Sequence, residues 1–228
     1  MSLFSLEATP LLIGVLGYIF YFIFLKSSTF KAKCSKLFSA PKSSFYWIQL
    51  TRIVAFICMA NIPITYIHYL DIDFWTFDFT WTSTDSKYTL ILAAILVPMG
   101  AKNAKGKEHL NLYPQVRMKS WNPIEYLSNI FSWGLYLLGY EFLFRGILFL
   151  GLIPFVGLYP AITINTVLYA LAHLYKGKKE TLGSIPLGIV LCLITAHTET
   201  IWTAFAVHWI MATNNFVWSQ YYRLRSSN

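Results

Sequence analysis

The chain has 228 residues, of which 56% are hydrophobic, 18% aromatic and only 12% charged. An ordinary soluble domain carries ~25% charged residues, so this composition excludes a disordered chain and argues against a soluble globular enzyme. A net charge of +8 would raise nucleic acid as a partner for a soluble protein. Here the charges fall between apolar runs and define a membrane orientation, and no nucleic-acid partner is expected.

Seven apolar stretches follow one another along the chain: Leu11–Leu25, Ile53–Leu70, Tyr88–Met99, Ile130–Phe149, Ala161–Tyr175, Leu182–Ala196 and Ile201–Tyr221. Runs this dense read as helices, because only helices satisfy their own backbone groups in lipid. The expected fold is all-α, a polytopic bundle of about seven transmembrane helices. The third and sixth stretches are short for a full crossing. The first has no basic residue before it and reads as a retained anchor rather than a cleavable signal. Cys34, Cys58 and Cys192 form no CxxC pair and suggest neither a disulfide framework nor a zinc knuckle.

The charge pattern orients these spans. Lys26, Lys31, Lys33, Lys36 and Lys42 follow the first stretch, and Lys102, Lys105, Lys107, Arg117 and Lys119 follow the third. Lys176, Lys178 and Lys179 follow the fifth, and Arg223 and Arg225 the seventh. With seven crossings, 15 of the 18 basic residues lie on one side. The positive-inside rule makes that side cytoplasmic, with the N-terminus outside and the C-terminus in the cytoplasm of a cell-membrane protein. The segment DIDFWTFDFTWTSTD, acidic and aromatic, is expected at the outer interface. The loop NLYPQVRMKSW is expected along the cytoplasmic interface, and Arg52 is expected to snorkel to that interface.

An ionisable side chain at the bilayer centre costs at least ~2.5–3.5 kcal/mol on insertion scales, so each one calls for a partner or a task. Glu141 and Arg145 stand at i and i+4 in GYEFLFRGILF, one helical turn apart. His173 lies in the fifth stretch with Asn165, and His208, Asn214 and Asn215 lie in the seventh. His197 reads as an outer-loop residue, and His68 and His109 flank spans without an assigned role. A Glu and two His from three successive helices are the parts of a hydrolytic site. The carboxylate serves as general base, one imidazole helps hold water, and the other donates to the oxyanion. The same three residues are also a possible Zn²⁺ ligand set, although no HExxH motif is present and no cofactor is firmly implied.

At these residues the chain resembles the CPBP family, the CAAX-protease and bacteriocin-processing membrane proteins also called Abi. The family pattern is EExxxR, then FxxxH, then HxxxN or HxxxD. It appears as YEFLFR from Tyr140 to Arg145, YALAH from Tyr169 to His173, and HWIMA from His208 to Ala212, followed by Asn214 and Asn215. The resemblance covers roughly Asn122 to Phe216. It implies a protease core over residues 122–222 behind N-terminal helices and loops over residues 1–121, in one membrane domain. It implies a site that opens toward the cytoplasm and cleaves a membrane-associated peptide or protein.

Tyr140 stands where the pattern has its first Glu, and Ala212 where it has Asn or Asp. Two readings follow. One is an endopeptidase with Glu141 as base, with His173 and His208, supported by Arg145, Tyr140, Asn214 and Asn215. The other is a non-catalytic relative, a bacteriocin-immunity or membrane scaffold protein. A small transporter is a third class, for which no internal inverted repeat is visible.

Overall fold

The structure, a computed structural model, describes residues 5–38, 42–72, 79–118 and 120–225. They are 86% helical, and no strand occurs among them. In chain order the helices are α1 (Leu6–Lys26), α2 (Ser28–Leu37), α3 (Lys42–Tyr69), α4 (Ser83–Asn103) and α5 (Lys107–Leu112). They continue as α6 (Pro123–Val156), α7 (Leu158–His173), α8 (Lys178–Thr198) and α9 (Trp202–Arg225).

All seven apolar stretches lie in helices. Four helices, α1, α3, α6 and α8, are both long and apolar enough to cross a membrane. The other three fall short for separate reasons. α7 has 16 residues, and at 1.5 Å rise these reach ~24 Å, less than a ~30 Å hydrocarbon core. α4 and α9 are long but carry polar turns, Ser83–Lys87 in one and Asn214, Asn215 and Gln220 in the other.

α6 is the central rod. Its most apolar stretch is 83% buried inside the protein, against 22% for α1 and 28% for α8. Its start is set locally: Asn122 accepts from Glu125 N (2.8 Å), and the Glu125 carboxylate accepts from Asn122 N (3.1 Å), with Pro123 at the first helical position. This reciprocal cap satisfies two of the orphan N–H groups of a helix start. α3 and α9 pack on α6, α9 also pairs with α4, and α7 pairs with α8. Outer-helix residues such as Leu12, Leu16, Phe20 and Ile23 of α1 are exposed to the surroundings, as a lipid-facing surface requires.

Glycine permits the close approaches that hold the bundle. A Cβ at Gly17 would lie 2.2 Å from the Cys58 carbonyl oxygen, and one at Gly139 would lie 2.9 Å from Phe56 Cα. α1 and α6 thus meet α3 backbone to backbone. A buried polar clamp ties the far end: Asp85, the N3 residue of α4, accepts from Thr82, Thr200 (2.8 Å) and Thr203 (3.0 Å).

The acidic aromatic segment expected at the outer interface runs through residues 73–78, which lie outside the described residues, as do Pro41 and Lys119. The described part of the loop NLYPQVRMKSW alternates buried residues with exposed ones such as Gln115 and Arg117. Tyr113, Val116 and Met118 are buried, and Val116 and Met118 pack on Phe45, because apolar side chains at these positions gain more inside the bundle. His197 lies in the last turn of α8 and not in a loop.

Candidate active site

The site is built where the regular part of α6 ends. Glu141 is the last residue of its α-helical part, and a π-helical turn, Phe142–Ile147, follows. Such turns widen the helix and are common at functional positions. Within it, Arg145 stays beside Glu141, with Nε 3.4 Å from Oε2, and both side chains are 0% exposed. Arg145 also donates to Asn165 Oδ1, and its guanidinium lies 4.6 Å from the centre of the Tyr169 ring. Asn165 in turn donates to the Phe144 carbonyl and accepts from the Cys192 thiol, so α6, α7 and α8 meet around one buried cation.

The other carboxylate oxygen, Glu141 Oε1, lies 2.5 Å from His208 Nδ1. A carboxylate beside Arg145 accepts, so His208 carries its proton on Nδ1 and presents Nε2 as an acceptor. The Tyr169 hydroxyl, 3.3 Å from that Nε2, is the donor there. His173 is set the same way from another helix: its Nδ1 donates to the Tyr169 carbonyl at 2.8 Å, which leaves Nε2 as its acceptor nitrogen. The two imidazoles are nearly parallel (7°), with ring centres 6.4 Å apart. Tyr140 sits against both, 5.8 Å from the His208 ring and 6.5 Å from the His173 ring. Its hydroxyl is buried and has no hydrogen-bond partner among the described residues.

A cavity of about 350 Å³ opens over this group. Tyr140, Tyr169, His173, His208, Ala212 and Asn215 line it, and Glu141 and Arg145 lie behind its wall. Asn214 turns away and donates to the Val97 carbonyl of α4 (3.1 Å). An apolar cavity of about 450 Å³ adjoins it, bounded by Tyr18, Phe22, Leu143 and Leu168, and shares Ala172 and Tyr175 with the first.

The structure therefore gathers Glu141, Arg145, His173, His208 and Tyr140 as the motif spacing anticipates, but it seals the carboxylate from the cavity. The Zn²⁺ set does not fit this arrangement. Both Glu141 oxygens are engaged, by an imidazole N–H and by a guanidinium whose charge repels a cation. No group of three or more His, Cys, Asp or Glu is placed to hold a metal among the described residues.

Sequence reasoning missed two contributors. Asn165 was a polar residue without a task, and only the packing of α7 on α6 shows it as the acceptor for Arg145. Arg52 was expected at the interface but is 3% exposed. Its Nη1 donates to Asn129 O (3.1 Å), Asn129 Oδ1 (2.9 Å) and Ser132 Oγ (2.7 Å), and Nη2 donates to Gln115 Oε1 (3.3 Å). It lies on the α6-facing side of α3, where stacking on Trp133 replaces snorkelling.

The fold and this group define a class: a helical membrane protein with a buried carboxylate–imidazole pair beside a cavity. Residues 122–214 match the family model described as type II CAAX prenyl endopeptidase Rce1-like. Over that segment the chain is similar to this family of membrane proteases. No curated protein and no solved structure matches the chain significantly.

Proposed function

We propose that the protein is an intramembrane endopeptidase of the CAAX type, which hydrolyses a peptide bond of a membrane-associated substrate from the cytoplasmic side. The observation that carries this reading is the pair of parallel imidazoles, each with its Nδ1 proton committed: His173 Nε2 is left to accept, and water takes the place of the Tyr169 hydroxyl, 3.3 Å away, at His208 Nε2. Water between two such acceptors donates a hydrogen to each and keeps a lone pair for a carbonyl carbon.

In this mechanism Glu141 is a positioning residue and not the base. It fixes the His208 tautomer and stabilises the imidazolium that forms when His208 takes the water proton. Arg145 pairs with Glu141 and holds it in place. His173 is the second water holder. The unpaired Tyr140 hydroxyl is the donor for the oxyanion, aided by the Asn215 amide, since Ala212 has no polar group to offer. The proton then passes from His208 to the leaving amine. The adjoining apolar cavity suits the apolar part of a membrane substrate. The basic loops support a cavity mouth on the cytoplasmic side, with the N-terminus outside.

The test is turnover of a fluorogenic membrane peptide by purified protein in vesicles. The His208→Ala and His173→Ala variants are expected to lose it, and wild-type protein without turnover would reject the reading. A second reading has its own observation: Tyr140 fills the position of the pattern's first Glu, and the one carboxylate lining the cavity among the described residues, Glu180, lies 3.8 Å from Lys176. On that reading the cavity binds peptides without cutting them, as an immunity or scaffold protein does. Turnover appearing in Tyr140→Glu but absent from wild type would favour it.

A further inference from the structure

We propose that the apolar cavity between α1 and α7 binds one anionic phospholipid of the surrounding bilayer, with an acyl chain in the cavity and the phosphate at Lys26 and Lys176. This goes beyond the peptidase reading, and neither needs the other. The cavity, about 450 Å³, has the buried Leu143 and Phe144 of α6 as its floor and α1 and α7 as its walls. Its lining side chains among the described residues are all aliphatic or aromatic. At its rim, Ile19, Phe22 and Leu171 are exposed to the surroundings. Around helices long and apolar enough to cross a membrane, those surroundings are acyl chains. The opening between α1 and α7 therefore admits a chain sideways from the bilayer.

Charge marks one end of this cavity. Lys26, the last residue of α1, holds its ammonium 5.6 Å from the centre of the Phe22 ring and 6.0 Å from that of Tyr175. Lys176, in the 3-10 turn after α7, lies 5.9 Å from the same Tyr175 ring. Both rings line the cavity, so ammonium groups from two elements flank one end of it. Lys26 makes no ion pair among the described residues, whereas Lys176 reaches Glu180 at 3.8 Å. With Glu180 offsetting Lys176, one positive charge is left over. The neighbouring sequence does not cancel it: no Asp or Glu stands from Ala8 to Leu70, and α2, directly after Lys26, adds Lys31, Lys33 and Lys36. A headgroup of net charge −1 is the complement, and its phosphodiester supplies the oxygens. A choline headgroup brings a further ammonium, which the two lysines repel.

The depth fits one leaflet. Val15, at the far end of the cavity along α1, is eleven residues from Lys26, which is ~16.5 Å along a helix axis. That is about half of a ~30 Å hydrocarbon core. A phosphate held at Lys26 therefore lies at headgroup level while its acyl chain runs past Ile19 and ends beside Val15, near the bilayer centre. A substrate whose apolar part enters the same cavity displaces this chain.

The experiment titrates delipidated full-length protein in detergent with palmitoyl-oleoyl phosphatidylglycerol or with phosphatidylcholine of the same chains. Native mass spectrometry reads the first lipid bound. Wild type is expected to bind phosphatidylglycerol at least ~10-fold more tightly than phosphatidylcholine. Lys26→Gln is expected to bring the two lipids within about twofold of each other, and Ile19→Trp, which fills the cavity, to weaken both. The double variant Lys31→Gln/Lys33→Gln on α2 is expected to keep the preference. Equal affinity of wild type for the two lipids overturns the proposal, whether or not any variant folds. So does a folded Lys26→Gln that keeps the preference, or a folded Ile19→Trp that binds as wild type does, which places the lipid outside the cavity. Loss of the preference in the α2 variant overturns it too, as general attraction to a basic surface. Displacement of deuterated phosphatidylglycerol by farnesol at lower concentration than by unlabelled phosphatidylglycerol makes the occupant an isoprenoid and likewise overturns it. No turnover is read. Phosphatidylglycerol preference with no cleavage by wild type removes the peptidase reading and keeps this one; cleavage by wild type with equal affinity for the two lipids does the reverse.

Discussion

Replacing Glu141 by Gln tests the centre of the site most directly. The carboxylate is fully buried, with one oxygen on His208 Nδ1 and the other facing Arg145 Nε. An amide of the same shape has one acceptor and one donor, so it can satisfy one neighbour only by turning an N–H toward the other. If it faces Arg145 with its oxygen, its NH₂ meets His208 Nδ1–H and drives the imidazole to the other tautomer, which spoils Nε2 as an acceptor. Losing the orienting carboxylate of a carboxylate–imidazole pair has cost about 10⁴ in turnover elsewhere, in the serine protease triad. A similar loss is expected here. The stability effect is separable. Removing one partner of a buried ion pair costs ~3–5 kcal/mol because the other charge stays buried. Adding Arg145→Met removes that charge, so the double variant should regain most of the lost stability while remaining inactive. The assays are peptide turnover in vesicles and thermal unfolding in detergent. Wild-type turnover by Glu141→Gln refutes the positioning role, and a double variant no more stable than Glu141→Gln refutes the buried-charge argument.

Tyr140→Phe removes a hydroxyl that no described residue satisfies; turnover should fall about 10²-fold or more, as on losing an oxyanion donor, with unfolding temperature unchanged or slightly higher. Gly17→Val places a side chain against the Cys58 carbonyl, where a Cβ has 2.2 Å of room, and should cost ~1–3 kcal/mol by overpacking, seen as earlier thermal unfolding. Asp85→Ala leaves the Thr200 and Thr203 hydroxyls and the α4 start without their acceptor. A loss of about 2 kcal/mol is expected, measurable by unfolding or by faster protease cutting at the α8–α9 turn. A chelator such as 1,10-phenanthroline should leave turnover within about twofold, since the donors of the site are already committed to one another.

Much of this protein is written locally and was legible as such. Apolar runs separated by basic loops specify helices in lipid, because no other open structure satisfies backbone groups there, and all seven runs became helices. The spacing of Glu141 from Arg145, and the order of the Glu and the two His, marked the residues that converge. Helix ends were less legible: α3 starts at Lys42 and not near Ile53, because its first turns are covered by α2, α6, Val116 and Met118 and need not be apolar throughout.

What one chain cannot reveal locally is the direction in which a side chain turns once three helices meet. Whether Glu141 faces the cavity or the wall depends on the π-helical turn after it and on the angle at which α9 brings in His208. Whether Arg52 snorkels or stacks depends on the face that α3 offers to α6. Both are long-range packing outcomes. In a low-dielectric interior a charge settles with whatever partner the neighbouring helix supplies, so tertiary structure alone paired Glu141 with His208 and set Arg52 against Trp133.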